Sequence, residues 1–143
     1  MQDKSIRWNR RQFVTAAGAA AAGAWSGSSL AQDASAPIVL GQSCALSGPS
    51  AQLGTQFSQG AKLYFDQLNA QGGVGRRLVE LRTLDDGYEP ERCVANTQKF
   101  LNDDVMALFG YLGTPTSMAA LPLLQKAKVP LIAPLTGGAG LRD

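Results

Sequence analysis

From Ile38 onward, short apolar runs alternate with longer stretches of helical periodicity, and few folds accept that alternation. Ile38-Val39-Leu40-Gly41 begins a strand that is apolar on both faces, as a buried parallel strand is. Leu53, Phe57, Ala61, Tyr64, Phe65 and Leu68 then recur every three or four residues. That spacing predicts the inward face of an amphipathic helix, stopped at Gly72-Gly73. Residues 78–84 predict a second strand, with Val79, Leu81 and Thr83 alternating against Glu80 and Arg82. Its polar face places it near a sheet edge. Pro90 opens a second helix, whose inner face is Cys93, Val94, Thr97, Phe100 and Leu101. A third strand covers residues 105–110 and a third helix residues 116–127, with Ala119, Ala120, Leu123 and Leu124 inward. Pro122 must kink that helix or end it early, because it deletes a backbone bond and crowds the preceding turn. Residues 129–133 form a fourth strand, followed by a glycine-rich loop.

Strand and helix thus repeat three times before a closing strand. Helical crossovers imply parallel strands joined by right-handed connections. The fold class is α/β: an open, parallel, three-layer sheet, Rossmann-like and of the flavodoxin type. Ligands of such sheets sit beyond the carboxyl ends of the strands. Residues 44–53, 85–89, 112–116 and 135–138 converge there. Within them, Gly113-Thr114-Pro115-Thr116-Ser117 runs from a strand straight into a helix. Thr114 suits the N-cap and Pro115 the first helical position. Free first-turn amides aimed at one point can hold an anion, including a carboxylate. An ordinary strand-to-helix turn has the same sequence, and local chemistry leaves both readings open.

The first 31 residues stand outside this domain. Asn9-Arg10-Arg11-Gln12-Phe13-Val14 has the form of a twin-arginine motif, a weakly apolar Ala/Gly-rich run follows, and Ser29-Leu30-Ala31 supplies small residues at a cleavage site. The expectation is a cleaved export signal over residues 1–31 and a periplasmic mature chain. Those residues carry Lys4, Arg7, Arg10 and Arg11 against Asp3, so a chain of net charge +2 leaves a mature part near −1. With no basic stripe in it, nucleic acid is not an expected partner. The chain has no histidine, and its two cysteines, Cys44 and Cys93, lack metal-ligand spacing. They are available for a disulfide in an oxidising compartment; two separate buried thiols are the other reading.

Little else suggests bond-making chemistry or a cofactor. Gly72-Gly73-Val74-Gly75 follows a helix and precedes a strand, the reverse of a dinucleotide turn. Thr136-Gly137-Gly138-Ala139-Gly140 follows a strand and reads as a plain loop, a carboxylate-binding turn or a phosphate loop. Asp85, Asp86, Glu89 and Glu91 lack the alternation of a calcium loop and read as a solvated strand end with helix-start acids. Ser43, Ser47 and Thr114 have no histidine or obvious lysine base to activate them. The expectation is a binding protein, not an enzyme.

Several motifs, weak singly, combine in a specific order. They are Ala45-Leu46-Ser47-Gly48-Pro49 with Gly54; Leu68-Asn69-Ala70-Gln71-Gly72-Gly73-Val74; Asp85-Asp86; Phe109-Gly110 with the Gly113 turn; and Val129-Pro130-Leu131-Ile132-Ala133-Pro134. In these, residues 37–143 resemble the type I periplasmic binding proteins of the branched-chain amino acid kind, the receptors of ABC importers. The resemblance implies two α/β lobes closing on a solute, with delivery to a membrane permease. It implies that the turns after strands three and four, here Gly113-Thr114 and Leu135-Thr136-Gly137, grip an amino acid's carboxylate and ammonium. Leu53 falls where some members place an aromatic residue near the ligand.

The chain also departs from that pattern. Leucine-binding members bridge the positions matching Tyr88 and Gly113 by a disulfide, and neither is cysteine here. The ligand-holding serine of one turn corresponds to Thr114. The threonine of the other corresponds to Gly137, with Thr136 one place earlier. Another small carboxylate-bearing solute is therefore open. The resemblance further implies that residues 37–143 are the N-terminal part of the first lobe, with the second lobe absent. Weak solute binding by the chain alone and an uncovered fourth strand follow as expectations. A freestanding exported sensory or protein-interaction domain is the alternative.

Overall fold

A computed structural model describes residues 36–141, and the expected export signal at residues 1–31 lies outside the described residues. The order is β1 (Ile38–Cys44), α1 (Ala51–Ala70), β2 (Val79–Asp85), α2 (Pro90–Asn102), β3 (Ala107–Phe109), α3 (Thr114–Ala127), β4 (Leu131–Ile132) and a short 3-10 turn (Ala139–Leu141). All four strands are parallel, in the order β2-β1-β3-β4. β2 is an edge strand, as its polar face predicts. It pairs with β1 along its whole length, from Ile38 opposite Val79 to Cys44 opposite Asp85.

The chain steps from β1 to β2, then returns past β1 to β3 and on to β4. Right-handed crossovers therefore put α1 on one face and α2 with α3 on the other. Two core clusters match those layers. Cys93, Phe100, Val105, Leu108, Tyr111, Ala120 and Leu124 form one. Leu40, Val79 and Ala107 form the other, with Phe65, Leu68 and Phe109 against them. Phe65 meets Phe109 edge to face at 5.3 Å between ring centroids, a favoured aromatic geometry.

Several elements differ from their sequence reading. Only Phe65 and Leu68 of the expected α1 stripe pack against a core cluster, whereas Leu53 and Tyr64 are 52% and 63% exposed. The helix lies over the β2–β1 side of the sheet and is long for the short strands beneath it, so part of the stripe has nothing to cover it. β4 is reduced to two residues. Pro130 and Pro134 bracket it and cannot donate to a ladder, and Ala133 turns away with φ 49°. α3 starts at Thr114, with Gly113 as its N-cap and no side-chain cap. It continues through Pro122 to Ala127, so the proline does not end it. Cys44 and Cys93 are free buried thiols, and the bridge left open by the sequence is not made.

Two glycines of α1 make opposite demands. A Cβ on Gly54 would strike the backbone carbonyl of Ala45, whereas one on Gly60 meets nothing within 4 Å. Gly54→Ala is expected to destabilise the chain by about 1–3 kcal/mol, since backbone cannot yield as a side-chain tip does. Gly60→Ala should stabilise it by roughly 0.5–1 kcal/mol through helix propensity. Urea unfolding midpoints of the two variants check the pair.

Candidate functional site

At the carboxyl end of β2 two carboxylates tie the neighbouring loops together. Asp85 accepts hydrogen bonds from the amides of Leu46 (2.8 Å), Ser47 (3.1 Å) and Gly87 (2.9 Å), from the Ser47 hydroxyl (2.5 Å) and from Arg92 (2.9 Å). The Ser47 hydroxyl above all, then the Gly87 and Leu46 amides and Arg92, hold the Asp85 carboxyl well below the usual carboxylate range. Asp86 is fully buried. It accepts from the Ser43 hydroxyl at 2.7 Å and the Tyr88 amide at 2.9 Å. Burial raises its carboxyl, against the pull of those two bonds. Asn96 completes the tie, donating to the Ser43 hydroxyl and to the Asp85 carbonyl. The expected solvated strand end is thus a structural knot. Its sequence signal is Asp85-Asp86-Gly87, where aspartate side chains bond the backbone two residues on.

Beyond β3 and β4 the chain stays paired. Leu112 bridges Leu135 in parallel. The Leu135 amide donates to the Tyr111 carbonyl at 2.8 Å, and the Gly113 amide to the Leu135 carbonyl at 3.0 Å. The Thr114 and Thr136 hydroxyls lie 2.6 Å apart, and the Gly138 amide donates to the Thr136 hydroxyl at 3.0 Å. Gly113, Thr114, Leu135 and Thr136 are therefore joined in one place. Gly137 adjoins them with open space around its Cα. Leu53 is exposed in the first turn of α1 and takes no part in those bonds.

Thr114 is not the helix cap expected of it, and the difference matters. Gly113 takes the cap, which leaves the Thr114 side chain free to meet Thr136. Two hydroxyls bonded to each other use one of their two hydrogens. Whichever donates, one O–H remains to donate to an acceptor. Beside it lies the first-turn amide of Thr114, which has no intrahelical acceptor; Pro115 has no amide to satisfy, and Thr116 is fully buried. The Thr116 hydroxyl bonds back to the carbonyls of Leu112 and Gly113 and so fixes the turn.

Gly113 has φ 102°, a region side chains avoid. A Cβ there would fall 2.6–2.9 Å from the ring and hydroxyl of Tyr88. Tyr88 and Gly113, for which the resemblance implied a disulfide in leucine-binding members, are neighbours here, in contact through an aromatic ring and a bare backbone.

No activated nucleophile appears among these groups. Ser43 and Ser47 donate their hydroxyls to Asp86 and Asp85. Burial pushes the Cys44 thiol up to about 12 and the Cys93 thiol up to about 11, so both stay protonated at neutral pH. The arrangement offers donors to an acceptor and little else.

Because folding favours ionised Asp85, its contribution is full above about pH 4 and fades as pH falls below that. Asp86 acts in the opposite sense, since its raised carboxyl favours the folded chain on protonation. Asp85→Ala should cost about 1–2 kcal/mol at pH 7, and its difference from wild type should shrink toward pH 2.5. Urea midpoints at the two pH values test this; an equal loss at both would show that the carboxylate's charge is not what holds the loops.

Comparison with known proteins gives the family of the fold. The chain is 30% identical over 111 residues to the Leu/Ile/Val-binding protein of Escherichia coli (strain K12), covering 78% of this chain and 29% of that protein. A possible leucine/isoleucine/valine-binding protein from Rhodopirellula baltica SH 1 superposes with a TM-score of 0.73 at 38% identity, over 77% of this chain and 30% of that one. The branched-chain amino acid transporter substrate binding protein of Streptococcus pneumoniae, solved with isoleucine, superposes with a TM-score of 0.69 at 31% identity, over 73% and 30%. The chain therefore spans about three-tenths of the length of these relatives. Residues 37–142 match the periplasmic binding protein family, and with the parallel sheet described above the chain belongs to that family, in its type I form.

Proposed function

We propose that this chain forms part of one wall of the cleft of a solute-binding receptor serving an ABC importer. Gly113, Thr114, Leu135, Thr136 and Gly137 hold the carboxylate of a branched-chain amino acid or a similar small solute. The observation that carries this reading is the Thr114–Thr136 hydroxyl pair, 2.6 Å apart at the amino end of α3. One spare hydroxyl hydrogen and the free Thr114 amide lie where the helix dipole favours negative charge. Beside that polar centre Tyr88, against Gly113, and Leu135 expose apolar side chains. A polar grip beside an apolar surface suits a solute with a charged head and an aliphatic body. The relatives named above agree in kind, with isoleucine bound in one of them. In the same reading, residues 1–31 are a cleaved twin-arginine export signal, and residues 37–143 are the N-terminal part of the first lobe of a periplasmic receptor.

Titration of the full 15N-labelled chain with leucine, isoleucine and valine tests the site. Amide shifts are expected at Gly113, Thr114, Gly137 and Gly138, saturating only at millimolar solute because the ligand meets a single wall. Thr114→Val combined with Thr136→Val should weaken binding by about tenfold or more, the scale of a lost hydrogen bond to a charged group. Shifts that avoid these turns would refute the site, and submicromolar binding would refute the single wall.

A further inference from the structure

Tyr88 is held in an unusual way. Its φ is 68°, one of few positive values away from glycine. A bulky residue holds that conformation only when its surroundings over-determine it. Here they do. Its amide is fixed on the carboxylate of Asp86, itself fully buried and bonded to Ser43. Glu89 then donates its amide to the Asp86 carbonyl, and Pro90 starts α2 directly. The result throws the Tyr88 ring from the β2 side of the sheet onto Gly113, beyond β3, although β1 separates the two strands. The absence of a side chain at Gly113 makes room for the ring. Yet Tyr88 remains 38% exposed, so this anchored ring still presents surface beside the turn that begins α3.

We propose that Tyr88 is a specificity-determining residue of the solute site: braced against Gly113, its ring is the side wall on which the apolar part of a carboxylate-bearing solute packs. The inference rests on the reading of Gly113 and Thr114 as the carboxylate grip. The head of the solute meets the Thr114 amide and the threonine hydroxyl, and the body lies along the ring. A ring anchored through its own backbone loses little freedom on binding, which favours discrimination by shape. The contact is apolar, so the hydroxyl of Tyr88 is dispensable and the ring is not.

The test compares leucine with acetate, which shares the carboxylate and lacks the body, in 15N titrations of the full chain. Tyr88→Gly removes the ring and suits the positive φ, so the loop keeps its conformation; Tyr88→Phe keeps the ring. Tyr88→Gly is expected to weaken leucine by about fivefold, the scale of one aromatic contact, and acetate by less than twofold. Tyr88→Phe should leave both unchanged. Equal weakening of leucine and acetate would mean that Tyr88 merely supports the turn, and would overturn the inference. So would unchanged leucine binding in Tyr88→Gly. If the wild-type chain shows no shifts at Gly113 and Thr114 with either ligand, the grip itself is refuted and the inference with it. Should Tyr88→Gly lose its dispersed spectrum, Tyr88→Ala applies the same comparison with the ring removed. Loss of leucine-over-acetate preference in that variant supports the inference, and full preference overturns it.

Discussion

Five hydrogen bonds converge on the Asp85 carboxylate at the tip of an edge strand, and they hold the β1–α1 and β2–α2 loops together beyond the carboxyl ends of β1 and β2. An edge strand has one neighbour and is the weakest place to anchor a loop. Here the carboxylate draws the β1–α1 loop across to β2 by way of Leu46 and Ser47. Its buried neighbour Asp86 works inward, through Ser43 on the central strand and the amide of Tyr88. One dipeptide therefore fixes both the loop that leads into α1 and the residue that touches Gly113. A buried carboxyl is costly without partners, so each bond is also a condition of folding.

The same economy of space governs the centre of the sheet. Gly41 lies where a Cβ would meet Phe100 and Leu108, so α2 seats its largest side chain on bare backbone. Gln42, next along β1, is fully buried. It bonds the Gly110 carbonyl and accepts from Thr83, linking β3, β1 and β2 on the α1 side. Buried polar groups satisfied in this way limit the sheet to one register, since a slip would orphan them all.

How much of this the sequence discloses depends on the range of the interaction. The order of elements was legible because periodicity is local: Cys93, Thr97 and Phe100 recur at helical spacing and are buried together. The edge position of β2 was legible from its charged alternate residues. The limits of β3 and β4 were not, because an apolar run does not show where its hydrogen-bond partner ends. The α1 stripe misled for a related reason: amphipathicity shows which face can be covered, not whether the sheet reaches far enough to cover it. At the site, the helix start at residues 113–117 was visible, but its cap was assigned to Thr114 by residue preference alone. Position decided otherwise. The φ of Gly113 and its contact with Tyr88 set the cap one residue earlier, and only then did Thr114 become free to meet Thr136, a partner 22 residues away.

That displaced cap bears on how a single wall can recognise a solute. A side-chain cap from Thr114 would have tied its hydroxyl to its own helix start and away from Thr136. With glycine as the cap, the Thr114 amide and the threonine hydroxyl both remain available to an acceptor. The cost is a helix start with fewer internal bonds, offset by the pairing of Leu112 with Leu135 and by the return bonds of Thr116. Such a start favours an anion by about 0.3–1 kcal/mol when exposed and by more when water is excluded. In the proposed site the polar grip therefore supplies direction rather than affinity. Affinity has to come from enclosing the apolar body of the solute, which on this wall only Tyr88 and its exposed apolar neighbours begin to do.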